Sequence, residues 1–329
     1  IMILTFFSTQ PYDRQFFIEQ NKNFGFSLEF IEARLSDQTA KLVQSEGVCV
    51  FVNDKVSAPV IAQLAANGVK IIALRCAGFN NVDMTEARVH GIKVVRVPAY
   101  SPEAVAEHAV AMIMTLNRKT HKAYNRIREQ NFSLHGLLGF DLHGKTVGVI
   151  GTGNIGKAFC KIMLGFGCKV MAFDVFPDKQ LEAVGVEYAS QEDVLRQADI
   201  VSLHCPLNEH TKYLINDTTI AQMKDGVMLI NTSRGGLINT QAVTNALKAG
   251  KIHSLGIDVY EQEEKLFFRD LSETIIQDDV IARLMSFPNV LITAHQGFFT
   301  KEALTQIAFT TLSNLKAFQE GKELVNEVK

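Results

Sequence analysis

The sequence predicts an α/β protein built on two doubly wound parallel sheets. Short apolar runs alternate with amphipathic stretches from the first residues onward, and strands separated by helical patterns imply parallel pairing. The apolar runs are solid rather than alternating, as in strands covered on both faces. The alternation is interrupted once and then starts again, and 329 residues divide into two domains at roughly 150 residues each.

Taken in order, strands are expected at residues 3–7, 28–31, 48–52, 70–74 and 93–97, with helical segments at 14–20, 39–44, 58–66 and 82–89 between them. Ser101-Pro102-Glu103 then opens a helix. Serine can cap it, proline fits its first position, and glutamate complements the dipole. No Pro or Gly interrupts residues 104–129, so one long helix is expected, bridging the two domains. After a loop containing Gly136, Gly139 and Gly144, a second series has six strands, at 147–150, 169–173, 200–204, 227–231, 254–258 and 290–293. A last helix over 301–320, stopped by Gly321, is expected to pack back on the first domain. The first domain then comprises 1–100 plus 300–329, and the second, 101–299, is inserted into it.

Composition narrows the function. At 47% apolar and 21% charged residues, the chain is an ordinary globular protein and not a disordered one. A formal charge of -2 without a basic run argues against nucleic acid and anionic membrane as partners. The apolar stretch at 109–116 is far below the ~20 residues of a membrane span. The cysteines, Cys49, Cys76, Cys160, Cys168 and Cys205, are scattered without a C-x-x-C pair, which suits reduced thiols in a cytoplasm. No group of histidines has ligand spacing, so no metal site is expected.

The second series begins with Val147-Gly148-Val149-Ile150-Gly151-Thr152-Gly153-Asn154-Ile155-Gly156, a G-x-G-x-x-G turn between a strand and a helix. Gly151 permits the tight turn, Gly153 lets the backbone approach a pyrophosphate, and Gly156 lets helix and strand pack closely. The helix start offers free N–H groups to the phosphates. Asp174 ends the next strand, 18 residues past Gly156 (174 − 156), where a carboxylate bonds ribose hydroxyls and repels a 2′-phosphate. The second domain is therefore read as a Rossmann domain for NAD, and the smaller first domain as a flavodoxin-like substrate domain.

Ligands in such sheets sit beyond the carboxyl ends of the strands. Those ends carry His204-Cys205-Pro206, Asn231-Thr232-Ser233-Arg234-Gly235-Gly236, Asp258-Val259-Tyr260-Glu261 and Ala294-His295-Gln296. Arginine suits a planar carboxylate, a histidine can deliver a proton near neutral pH, and an acidic neighbour favours its charged form. Reduction of a 2-keto acid requires that set.

The chain resembles the D-isomer-specific 2-hydroxyacid dehydrogenases over essentially its whole length. The stretch from Leu142-His143-Gly144-Lys145 through Gly153 is similar to that family's cofactor signature, and Met228-Leu229-Ile230-Asn231-Thr232-Ser233-Arg234-Gly235-Gly236 to its substrate-arginine signature. Arg75-Cys76-Ala77-Gly78-Phe79-Asn80-Asn81 and Val97-Pro98-Ala99-Tyr100-Ser101-Pro102-Glu103, with the long segment after Asp258-Val259-Tyr260-Glu261-Gln262-Glu263, resemble its fermentative, lactate-forming branch. The resemblance implies reversible NADH-dependent reduction of pyruvate to D-lactate in a cleft between the domains. By it, Arg234 binds the substrate carboxylate, His295 is the acid–base residue, and Glu263 is its partner. Ala77 and Gly78 add backbone donors, and Tyr100 and Phe298 shape the pocket. Asn154, Ile155, Asp174, Cys205, Pro206, Thr211, Thr232, Ser233, Arg234 and Asp258 line the cofactor beside the three turn glycines. Gly297 stands where relatives often have a larger residue. A larger 2-keto acid, or an NAD-sensing binding protein on the same fold, is the competing reading. A homodimer or homotetramer is expected, with the apolar face of residues 104–116 as its seam.

Overall fold

Most strands of the first sheet are short apolar runs, and the computed structural model, which describes residues 1–263 and 266–329, pairs them all in parallel. β1 (Ile3–Phe6), β2 (Ser27–Phe30), β3 (Gly47–Val50), β4 (Ile71–Leu74) and β5 (Lys93–Val95) lie in the order β2-β1-β3-β4-β5. β3 and β4 are buried on both faces, whereas edge strand β2 alternates exposed and half-buried residues. Phe7, Val48, Val50, Ile61, Leu64 and Ile72 form the core of this layer. The helix Lys301–Gln319 starts at Thr300, whose side chain accepts from the Ala303 amide, and packs on the helix Pro11–Asn21. The chain thus returns to its first sheet, and the compact units are Ile1–Ser101 with Phe299–Lys329, and Pro102–Phe298.

The second sheet comprises β6 (Thr146–Ile150), β7 (Lys169–Phe173), β8 (Val186–Tyr188), β9 (Ile200–Leu203), β10 (Val227–Asn231), β11 (Ile252–Ile257) and β12 (Val290–Ile292). Its order is β12-β11-β10-β9-β6-β7-β8, again parallel throughout. Seven strands replace the six expected. The extra one, β8, has three residues at the sheet edge and pairs only with β7, too short to register as an apolar run. The order reverses at β6, between β7 and β9, which opens the crevice where such sheets bind ligands.

The long helix also departs from expectation. It runs over Pro102–Arg118, Lys119 takes a left-handed φ of 50°, and a second helix follows over Thr120–Arg128. Lys119 Nζ donates to the carbonyls of Gly136 and Leu138, so the break is tied down by a contact remote in sequence. Ala106, Ala109, Met112, Ile113 and Leu116 are buried against Val147, Val149, Phe159 and Met228 of their own unit. That face is core and cannot be the expected seam between subunits. The helix Thr120–Arg128 instead has no buried residue, and Tyr124, Ile127, Phe132, Leu134 and Leu138 are exposed around it. Among the described residues no helix is long and apolar enough to cross a membrane.

Candidate active site

The glycine turn follows β6, and each of its three glycines is required or permitted for a different reason. Gly151 has φ of 94°, and a Cβ there would lie 2.6 Å from the Cys205 nitrogen. A Cβ on Gly156 would lie 2.0 Å from the Gly151 oxygen, so strand and helix approach to backbone contact. A Cβ on Gly153 would meet nothing within 4 Å, which is the open backbone face a diphosphate needs. The helix Asn154–Gly165 starts there without a side-chain cap, leaving its first N–H groups available. Asp174 Oδ2 accepts from the Thr152 amide (2.6 Å) and hydroxyl (3.2 Å), and Oδ1 from the Phe176 amide (2.9 Å). Tyr188 of β8 donates to the Thr152 hydroxyl at 2.8 Å. The strand that sequence reading missed therefore carries a buttress of the phosphate turn.

Other expected cofactor residues surround this edge. Thr232 Oγ1 is buried and has no hydrogen-bond partner among the described residues. Ser233 donates its hydroxyl to the Cys205 carbonyl at 2.7 Å, and Thr211 to the Pro206 carbonyl at 2.6 Å. Burial pushes the Cys205 thiol up to about 11, so it is a protonated packing group rather than a nucleophile. An open glycine face, an uncapped helix start, a ribose-side carboxylate and an orphaned hydroxyl fit a dinucleotide.

Arg234 follows β10. Asn231 accepts from the Ser233 amide (3.0 Å) and donates to the Arg234 carbonyl (2.9 Å), which clamps the turn. The half-buried guanidinium donates to the Ser233 carbonyl at 2.7 Å and has no carboxylate partner among the described residues. A Cβ on Gly235 would lie 2.2 Å from the Tyr260 carbonyl carbon, so the loops after β10 and β11 rest directly on each other.

His295 and Glu263 come together. Glu263 Oε1 is 2.8 Å from His295 Nδ1, and Oε2 accepts from the Tyr260 amide at 3.0 Å. A carboxylate on Nδ1 fixes the ring and leaves Nε2 to exchange a proton with a substrate. His295 has φ of 53°, a left-handed conformation uncommon for a residue with a side chain. Asp258 maintains it. The Asp258 carbonyl accepts the His295 amide at 2.8 Å. Its carboxylate accepts Thr293 Oγ1 (2.5 Å) and the amides of Gln296 (2.8 Å) and Gly297 (2.8 Å). Asp258 is 1% exposed. Burial works to raise its pKa, but hydrogen bonds from His108 and Thr293 and the Gln296 amide outweigh it and hold the carboxyl below its ordinary range. A Cβ on Gly297 would lie 3.1 Å from Asp258 Oδ2, so a side chain there needs the carboxylate to give by a few tenths of an ångström. Two further side chains stand beside this pair. Phe268 places its ring 6.1 Å from the imidazole, and His108 bridges Thr293 and Asp258 at 3.0 and 3.4 Å.

The remaining expected residues divide between the units. Ala77, Gly78 and the half-buried Tyr100 belong to the first, and buried Phe298 ends the second. Ala77 and Gly78 form the loop after β4, and their amide N–H groups donate to nothing among the described residues.

Residues 110–297 match the profile of the D-isomer specific 2-hydroxyacid dehydrogenase NAD binding domain. The D-lactate dehydrogenase of Escherichia coli (strain K12) is 53% identical over 328 residues, 99% of this chain and 100% of that one. Among solved structures, the pyruvate reductase of Chlamydomonas reinhardtii superposes with a TM-score of 0.95 at 45% identity, covering 99% of this chain and 98% of its own. The D-lactate dehydrogenase of Aquifex aeolicus complexed with NAD and lactic acid superposes with a TM-score of 0.86 at 36% identity, over 99% and 98% of the two chains.

Proposed function

Because the chain belongs to the D-isomer-specific 2-hydroxyacid dehydrogenase family, we propose that it reduces pyruvate to D-lactate, reversibly and with NADH. The observation that carries this reading is the Glu263–His295 pair at 2.8 Å, at strand ends near an arginine that has no carboxylate partner among the described residues. The second unit holds the cofactor: Gly151, Gly153, Gly156, Asn154 and Ile155 at the diphosphate, Asp174 at the adenosine ribose, and Cys205, Pro206, Thr211, Thr232, Ser233 and Asp258 along the rest. When bound, NADH supplies the hydride that reduces the carbonyl carbon. Asp174 rejects the 2′-phosphate of NADPH by like charge.

Arg234 binds the substrate carboxylate through its planar fork and polarises the keto oxygen. The amides of Ala77 and Gly78, from the first unit, are further donors for that carboxylate. Protonated His295 donates from Nε2 to the keto oxygen and gives up its proton as the alcohol forms. Glu263 orients the imidazole and stabilises its cation. Tyr100 and Phe298 restrict the side chain to a methyl group, which favours pyruvate over larger keto acids. The enzyme works in the cytoplasm in a fermentative role, as a homodimer or homotetramer. The exposed apolar surface of Tyr124, Ile127, Phe132, Leu134 and Leu138 is its contact face in place of the buried helix Pro102–Arg118.

Following NADH consumption with a panel of 2-keto acids, and identifying the hand of the product, tests the reading. Rapid turnover of pyruvate to D-lactate is expected. Turnover confined to larger keto acids would overturn the pocket assignment, and NADH binding without turnover would overturn the enzyme.

A further inference from the structure

We propose that Arg96 is a positioning residue for the substrate carboxylate, holding the Ala77–Gly78 peptide so that the Gly78 N–H is presented as a donor. The inference rests on the reading of Ala77 and Gly78 given above, and it concerns a residue outside that reading. Arg96 follows β5 directly. Its Nη1 donates to the Ala77 carbonyl at 2.8 Å, and its guanidinium carbon lies 5.3 Å from the centroid of the Phe79 ring. It is half-buried, and no carboxylate pairs with it among the described residues. A cation partly withdrawn from water needs such compensation, and here the compensation comes from one loop carbonyl and one aromatic face.

The identity of that carbonyl matters. The Ala77 C=O and the Gly78 N–H are the two ends of one planar peptide group, and in the trans form they point in opposite directions. Anchoring the oxygen on Arg96 therefore sets the direction of the N–H on the far side. A charged donor on the oxygen also draws electron density through the amide, so the N–H becomes a stronger donor to an anion.

The rest of the loop has other tethers. The Val97 amide donates to the Cys76 carbonyl at 3.1 Å, and the Cys76 thiol to the Gly78 carbonyl at 3.3 Å. Asn81 donates to the carbonyls of Phe51 and Asp54, each at 2.9 Å. The Ala77–Gly78 peptide itself is held by Arg96.

Arg96 is seated in turn by the end of the chain. Its amide donates to the Asn326 carbonyl at 3.1 Å, and its carbonyl accepts from Asn314 Nδ2 at 2.9 Å. Asn326 Nδ2 donates to Asn314 Oδ1 at 2.8 Å, and Glu327 bridges Val95 in antiparallel fashion. The backbone that carries the guanidinium is thereby fixed.

Arg96→Gln and Arg96→Lys, assayed beside the wild type, test the assignment. The readouts are pyruvate KM, kcat, the NADH dissociation constant, and the affinity of the NADH-loaded enzyme for oxamate, the pyruvate isostere with an amino group for the methyl. A charge-assisted bond that acts equally on bound substrate and transition state changes KM rather than kcat. Arg96→Gln is expected to raise pyruvate KM and the oxamate dissociation constant about tenfold, with kcat and NADH binding unchanged. Arg96→Lys, which keeps a charged donor but not the planar fork, is expected to fall between the two. Unchanged pyruvate KM in the variants overturns the proposal. So does a joint loss of kcat and of affinity for both ligands, which a packing role would produce. If Arg96→Gln fails to fold, Arg96→Lys carries the same split alone. Wild-type turnover in the same assay separates the two levels. An inactive wild type overturns the reading of the function and this inference with it, whereas an active wild type with indifferent variants overturns only the role of Arg96.

Discussion

In the second unit, the loop after β12 is held by side chains. One buried carboxylate, Asp258, accepts from Thr293, Gln296 and Gly297, and a second, Glu263, fastens the imidazole of His295 at 2.8 Å. In the first unit, the loop after β4 is held through backbone carbonyls: Arg96 donates to its Ala77 carbonyl and its own Asn81 donates to those of Phe51 and Asp54, while the Ala77 and Gly78 amides donate to nothing among the described residues. Both loops leave the carboxyl ends of parallel strands, where the unfinished backbone of the sheet meets solvent. The contrast matches the roles proposed above. In that proposal the side-chain loop exchanges a proton, which needs a group that titrates, and the backbone loop orients an anion, for which a fixed N–H direction is enough.

Three changes in the second unit break or sharpen this contrast, taken from the largest effect. His295→Ala removes the group that exchanges the proton, and turnover is expected to fall by about 10²-fold or more while NADH affinity stays. Steady-state kinetics with a separate binding titration would check this, and near-normal turnover would refute the role of the ring. Glu263→Gln keeps the shape and removes the charge behind the imidazole. A fall in kcat of about tenfold is expected, the size of one charge-assisted hydrogen bond. An unaltered kcat would mean that Nδ1 needs only an acceptor.

Asp258→Asn is expected to act on stability first. The carboxylate meets only donors, and an amide would turn N–H groups against them, costing about 2 kcal/mol. The folded carboxyl lies below its ordinary range. Its ionised form therefore contributes stability that is fully present above the unfolded value near 4 and is lost as pH falls through the lower folded value. Urea unfolding at pH 7 should show the full gap between wild type and variant, and the gap should narrow below pH 4. A gap that persists unchanged in acid would assign the effect to packing alone.

Much of this was legible because the relevant signals are local. Solid apolar runs placed β3, β4, β6, β9 and β10, and the spacing of Gly151, Gly153 and Gly156 marked the turn between strand and helix. Arg234 and His295 stood out at strand ends as residue types suited to a carboxylate and a proton, and Glu263 came with the family resemblance. β8 did not, since three residues at a sheet edge carry no pattern of their own. The break at Lys119 was equally silent. No proline or glycine marks it, and the carbonyls of Gly136 and Leu138 that hold it lie beyond the helix.

The α/β class and the glycine turn thus follow from the chain alone, because each depends on neighbours a few positions away. Only the tertiary structure decided that the face of Pro102–Arg118 is core, that Asp258 organises the loop of His295, and that Arg96 reaches the carbonyl of Ala77. Those outcomes depend on where a buried donor finds its acceptor. Burial makes an unpaired polar group costly, so the fold, not the local pattern, selects the partner.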